Sequence, residues 1–333
     1  MSWLTYAARR TAFAAVAAFL VVTLTFLVVK TAPNTDLGGL IASMHRAGAS
    51  QAEIEAAVRE YKRQHNLRGS LFEQYVRFVG DLLAFELGYS TAFRAPVGDL
   101  LGRALPRTLG YIVPGVLIAY AVGVLGGLVS AFRGRVGDWT MRVGSYVVLG
   151  ATTIVVANLV EDYLGHYFGE FVTGWRSHPF ISYGEPAMYG TEPWRSLGPK
   201  YVLPSLVVAT ALIAGLLRHT RNNALSYRGS ATSKMLSAKG AGDVTSARHA
   251  LRNAALPLLS VSFAELMSVL ALGSFVVEAI FHIPGIAAYT MVGVYTRDYP
   301  LVMGATIVFA FIGIAGSLLQ DLLYGYLDPR VGE

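Results

Sequence analysis

Of the 333 residues, 54% are apolar and only 14% carry a charge, a balance far from that of water-soluble domains and one that makes a lipid bilayer the main solvent. The net charge of +6 is modest and there is no cysteine, which excludes disulfides, thiolate metal sites and cysteine nucleophiles. The basic residues lack the interleaved aromatics of a nucleic-acid surface, so a nucleic-acid partner is not expected.

A bilayer core of ~30 Å requires ~20 apolar residues of helix, and that length locates the spans in chain order. Arg9 and Arg10 precede an apolar run over residues 11–29 closed by Lys30; it is too long for a signal-peptide core, and no small-x-small cleavage site follows. A retained first span is expected, with its N-terminus inside. Residues 31–106 lose apolar continuity and form an excursion outside the bilayer. Within it Ser50 and Glu53 form a capping-box pattern ahead of Ile54, Ala57, Val58 and Tyr61, predicting a helix from Gln51 to His65. A second helix, Leu71 to Leu87, carries Phe72, Tyr75, Val76, Val79, Leu82, Leu83 and Phe85, enough to lie on the membrane or on a neighbouring chain.

The second span is read over 107–131, where Gly123 and Gly127 make a small-xxx-small pair for close helix packing and Pro114-Gly115 suggests a bend. A short loop with Arg133, Arg135 and Arg142 has inside character, and the third span, 139–164, carries Asn158, Glu161 and Asp162 toward its outer end. The outer segment 165–200 contains His166 and His178, but without ligand spacing no metal site is expected. The fourth span is 201–217.

Residues 218–256 hold Arg218, Arg221, Arg228, Lys234, Lys239, Arg248 and Arg252 against the single acid Asp243, the asymmetry expected of a cytoplasmic loop. Thr232 to Ala238 predicts one short helix; Gly240 and Gly242 break it, and Asp243 is expected to N-cap a second. Charge alone allows a loop that hugs anionic headgroups. The fifth span is read over 258–281. At ~1.5 Å per residue from Pro257, Glu265 lies ~12 Å deep and Glu278 ~31 Å along, near the outer surface. Glu265, with Ser268 beside it, must face a hydrogen-bonding neighbour, a water-filled path or a proton-coupling site; Glu278 is expected to brace the outer loop beside His282 and Pro284-Gly285. The sixth span, 301–323, returns inward.

Residue order adds more. Ser237-Ala238-Lys239-Gly240 and His249-Ala250-Leu251-Arg252-Asn253-Ala254-Ala255-Leu256-Pro257, continuing through Gly273, Val276-Val277-Glu278, Pro284-Gly285, Arg297-Asp298-Tyr299-Pro300 and Leu327-Asp328-Pro329-Arg330, resemble the permease subunits of binding-protein-dependent ABC importers of the dipeptide, oligopeptide and nickel class. The family's usual Asp-Tyr before the docking helix reads Ala231-Thr232, and a usual Arg reads Ser237. The resemblance implies an all-α integral membrane fold of six transmembrane helices in the type I importer manner, with Lys234, Met235, Ser237, Ala238, Lys239, Gly240, Ala241, Gly242 and Asp243 docking on an ATPase subunit. It also implies a second, homologous permease, two ATPases and an extracytoplasmic binding protein as partners, membrane lipid around the helices, and an inner-membrane location with both termini cytoplasmic. Glu265, Ser268, Asn158 and Glu161 are the candidate translocation-path residues.

The chain has no Gly-x-x-x-x-Gly-Lys-Ser/Thr loop, no Gly-x-Ser-x-Gly elbow and no His-Glu-x-x-His pair, so neither ATP hydrolysis nor an intramembrane enzyme is expected, and no cofactor is implied. A stand-alone secondary transporter would show repeats or several intramembrane charges. Peptides are the first cargo expected, with oligosaccharides or nickel as alternatives.

Overall fold

The computed structural model describes residues 3–31, 35–64, 70–132, 153–164 and 201–327. Among them are α1 (Trp3–Thr31), α2 (Thr35–Arg46), α3 (Gln51–Gln64), α4 (Leu71–Leu83), β1 (Tyr89–Ser90), β2 (Ala95–Pro96), α5 (Val97–Phe132), α6 (Thr153–Leu159), α7 (Val202–Gly229), α8 (Ala231–Ala238), α9 (Asp243–Ser268), α10 (Ser274–Ile280), α11 (Ile286–Thr296) and α12 (Tyr299–Leu327). The described residues are all-α apart from one antiparallel hairpin, β1–β2. Five of these helices are long and apolar enough to cross a bilayer: α1, α5, α7, the run through α9 and α10, and α12. Most of the expected third span lies outside the described residues, which include only its outer part, α6 and the π-helical turn Val160–Leu164.

Several helices outrun the apolar windows that announce them. α5 starts at Val97 and carries Pro106 and Pro114 in its interior; each proline has glycine four residues earlier, Gly102 and Gly110, where its ring meets the helix backbone. α7 continues to Gly229, twelve residues past the expected end of the fourth span. The short second loop helix and the fifth span are one element. α9 runs through Pro257 because burial of Ala250, Ala254 and Leu258 holds the helix together across the one backbone bond that proline removes. Gly242, and not Asp243, occupies its N-cap position; Asp243 sits in the first turn, where a carboxylate still complements the helix dipole. α9 joins α10 through a π-helical turn, Val269–Gly273, in which the Ser274 N–H reaches back to Val269 O. The Ser274 hydroxyl donates to Leu270 O at 2.7 Å, so that carbonyl is not left bare.

Of the helices expected between the first two spans, α3 has its capping box as read, with the Ser50 N–H donating to Glu53 Oε2 at 2.7 Å. Accepting that bond holds the Glu53 carboxyl below its usual range. α4 ends four residues earlier than expected, at Leu83. Phe85 takes a left-handed conformation (φ 60°), and the N–H groups of Phe85 and Glu86 return to Leu82 O and Asp81 O, closing the helix in a glycine-type cap without glycine.

Glycine lets α5 and α7 approach closely. A Cβ added at Gly115 would lie 2.9 Å from Val208 Cβ, one at Gly123 2.7 Å from Leu216 Cβ, and one at Gly127 2.6 Å from Thr220 Cβ. Contacts advance in the same direction along both chains, so the two helices run parallel. α9 runs antiparallel to α7, with Ala250 packed with Ala224 and Glu265 set against Gly215, and to α12, with Phe263 against Gly316 and Met267 against Gly313. α1 and α12 are also antiparallel, clasped by Arg10 Nη1 to Asp321 Oδ2 at 3.2 Å and by the Tyr6 hydroxyl donating to Asp321 O at 3.1 Å. One core joins α5, α7, α9 and α10 around Tyr111, Leu216, Leu270 and Val277. A second joins the hairpin, α5, α11 and α12 around Phe93, Val97, Tyr289 and Leu301. Outside these cores the surface is apolar: Phe13, Phe19, Leu24 and Val28 of α1 are each more than half exposed, a surface suited to lipid.

Candidate coupling and translocation site

The basic loop folds as the tip of a helical hairpin. Ser230 caps α8, its hydroxyl accepting from the Ser233 N–H at 3.2 Å. At the other end Gly240 takes φ +81°, the Gly240 N–H donates to Ser237 O and the Ala241 N–H to Leu236 O, a Schellman closure. Sequence reasoning identified Gly240 as a breaker; its left-handed backbone is why the residue is glycine. Lys234, Met235, Ser237, Ala238, Lys239, Gly240, Gly242 and Asp243 are exposed and Ala241 is half-buried. Val244, at the start of α9, is 84% exposed and Met235 53%. The tip therefore exposes two apolar side chains, Met235 and Val244, and two ammonium groups, Lys234 and Lys239.

Behind the tip the hairpin is stiff. Tyr227 and Ala224 of α7 pack with Ala250 of α9 and Ala131 of α5. Arg228 donates to Ala131 O and stacks over the Phe132 ring, 5.1 Å from its centroid, which ties α7 to the end of α5. Fifteen residues of helix separate Ser230 from Gly215, or ~22 Å.

At that depth Glu265 faces Gly215: a Cβ on Gly215 would be 2.9 Å from Glu265 Oε1. The carboxylate is half-buried and has no hydrogen-bond or ion-pair partner among the described residues. Ser268, one turn on along the same face, is exposed. Asn158 is exposed and donates to Ile154 O within its own helix at 2.8 Å. The side chain of Glu161 lies outside the described part of the structure, as do His166 and His178. The opposite side of α9 lines a separate apolar cleft of about 330 Å³, with Phe263, Met267, Val113, Leu117 and Gly316 on its walls.

The second carboxylate, Glu278, is fully buried. Thr108 Oγ1 donates to Glu278 Oε1 at 2.8 Å, the Tyr111 hydroxyl donates to the same oxygen at 3.1 Å, and the Ala288 N–H donates to Oε2 at 2.8 Å. Thr108 Oγ1 in turn accepts from the Ile286 N–H at 3.0 Å. Gly285, the N-cap residue of α11, has no side chain to offer; Glu278 and Thr108 perform that capping from α10 and α5. The brace expected beside Pro284-Gly285 is thus a three-helix junction. Neighbouring Tyr201 lies against Gly110.

A second junction was not anticipated. Asp298 is buried; its Oδ1 accepts from the Leu301 N–H at 3.2 Å, capping α12, and its Oδ2 accepts from Ser90 Oγ at 2.6 Å and the Ala92 N–H at 3.0 Å. The Asp-Tyr-Pro order is an N-cap signal, but nothing in it points to residues 90–92.

Comparison with known proteins agrees with this architecture. The family described as "Binding-protein-dependent transport system inner membrane component" matches residues 123–333. The chain is 28% identical to the oligopeptide transport system permease protein AppB of Bacillus subtilis, covering 98% of each chain. It is 28% identical to the dipeptide transport system permease protein DppB of the same organism over 93% of this chain and 92% of the relative. It is 30% identical to the oligopeptide transport system permease protein OppB of Mycobacterium bovis over 84% and 85%.

Proposed function

Because this chain belongs to the family of binding-protein-dependent transport system inner membrane components and is a multi-pass ABC-importer permease, we propose that it forms half of a translocation pathway for peptides. Relatives named for oligopeptide and dipeptide transport favour peptides over oligosaccharides or nickel. ATP hydrolysis then belongs to two partner ATPases, the other half of the pathway to a second permease, and delivery to an extracytoplasmic binding protein.

The observation that carries the reading is the α7–α8–α9 hairpin. Its tip exposes Met235, Lys239 and Val244, and its helices run unbroken to the level of Glu265. A push on α8 from a closing ATPase pair tilts both helices as one body, which switches the side from which Glu265 and Ser268 are reached. An intramembrane carboxylate set against glycine, with no partner among the described residues, supports the path-lining role over a purely structural one. The π-helical turn that follows Ser268 is a feature that recurs at functional sites.

The parallel run of α5 and α7 supports six spans. The chain leaves α5 at the tip end of the bundle and enters α7 at the other, so an odd number of crossings separates them. With the basic tip on the cytoplasmic side, the N-terminal end of α1 and the C-terminal end of α12 also lie there, in an inner membrane.

The test uses the full complex in proteoliposomes. Lys239→Glu, or Gly240→Val at φ +81°, is expected to leave insertion intact and to abolish substrate-stimulated ATP hydrolysis. Normal hydrolysis and uptake by both variants sinks the docking assignment.

A further inference from the structure

We propose that α4 is seated within the leaflet at the far end of the bundle from the α8 tip, its free apolar edge in contact with lipid acyl chains. Its place against α1 sets its depth. The Tyr75 hydroxyl lies 2.7 Å from Thr23 Oγ1, the Tyr75 ring centroid is 5.3 Å from that of Phe26, and the Phe78 centroid is 5.5 Å from that of Phe26. Tyr75 also meets Phe19 edge-on at 6.5 Å. Thr23 and Phe26 belong to the apolar span Thr5–Val28; Thr23 is five residues, or ~7.5 Å, inside its end. A helix resting there lies at the level of hydrocarbon.

The helix is built for that position. At 100° per residue, Tyr75, Phe78 and Leu82 share the edge turned to α1, Phe72, Val76 and Leu83 form the adjoining edge, and Glu73, Arg77 and Asp81 take the opposite arc. The edge turned from α1 is open, with Phe72 74%, Val76 52% and Leu83 77% exposed. It continues the lipid-facing surface of α1, where Phe19, Leu24 and Val28 are likewise exposed. Thirteen residues, ~20 Å, are too few to span, so the helix lies in the boundary with its charged arc toward water. Capping by Ser70 and Glu73 and the left-handed stop at Phe85 fix its length.

The chain has no cysteine, so single cysteines at Phe72, Val76, Leu83 and Arg77 can carry nitroxide labels in the complex reconstituted in phosphatidylcholine vesicles, with Leu24→Cys on α1 as the lipid-facing reference. Collision with oxygen, which partitions into hydrocarbon, is compared with collision with a water-soluble nickel chelate. The oxygen-to-nickel ratio is expected to be several-fold higher at 72, 76 and 83 than at 77, and close to that at 24. A ratio at 72, 76 and 83 as low as at 77 overturns the proposal in favour of a solvated helix. Poor access to both reagents at all three also overturns it, in favour of a protein partner covering that edge. The readout does not depend on cargo or on ATP hydrolysis, so it stands apart from the transport reading.

Discussion

Replacing Gly285 with alanine is expected to break the junction of α5, α10 and α11 through space alone. Gly285 has φ −97° and ψ −174°, a backbone any residue adopts, so conformational strain is not involved. The added Cβ would fall well inside contact distance of Glu278 Oε1 and Cδ and 2.5 Å from Thr108 Oγ1. Neither side chain has slack, since Glu278 is held by Thr108, Tyr111 and Ala288, and Thr108 by Ile286. Relief requires α11 to back away, losing the bonds from Ile286 and Ala288. Overpacking costs ~1–3 kcal/mol and a lost bond to a buried charged group ~1.5–3 kcal/mol, so a destabilisation of about 3–5 kcal/mol is expected. The control is Gly102→Ala on α5, where an added Cβ meets nothing within 4 Å and helix propensity favours alanine by up to ~1 kcal/mol. Thermal unfolding of the purified complex in nanodiscs reads the difference. A Gly285→Ala midpoint equal to that of Gly102→Ala refutes the reasoning, and Thr108→Val, which removes the bonds to Glu278 and Ile286 without adding bulk, should fall between the two.

Gly127→Ala should destabilise the α5–α7 contact by ~1–3 kcal/mol, because Leu217 O, a backbone atom, would stand 2.7 Å from the new Cβ; Gly126→Ala, which meets only the flexible Leu217 Cδ1 at 3.3 Å, should be nearly silent in the same assay. Asp298→Ala removes the α12 cap and both anchors of the 90–92 turn; a loss of ~2–4 kcal/mol is expected, with new protease cleavage near residue 90, and an uncut, equally stable variant contradicts it. Glu265→Gln should change uptake kinetics in proteoliposomes while leaving thermal stability unchanged; unaltered uptake with lower stability assigns Glu265 to packing instead.

The hydrophobic runs, the capping box at Ser50 and the glycine pair at 123 and 127 were legible because each is a local signal. Helix ends were less so. A hydropathy window reports the hydrocarbon-immersed part of a helix, whereas its backbone bonds continue into water, as α7 does to Gly229. Pro257 suggested a boundary, yet it withdraws one bond from a helix held by Ala250 and Ala254. The stops at Phe85 and Arg297 use left-handed non-glycine residues, for which residue type is a poor guide. α11 was missed because its apolar residues follow no single face and its cap is supplied from elsewhere in the chain.

Composition, apolar run length and the sign of loop charges determined that this is a multi-pass helical membrane protein, because the transfer of side chains and charges from water to hydrocarbon is a property of each segment in turn; that it resembles a permease came from residue order. The fates of its two carboxylates in the fifth span were decided only by tertiary structure. Glu278 is buried and satisfied because Thr108, 170 positions away, and the start of α11 converge on it, while Glu265 is set against Gly215 of α7 with no hydrogen-bond partner among the described residues. Hydropathy treats the two glutamates alike; the geometry of their neighbours separates them.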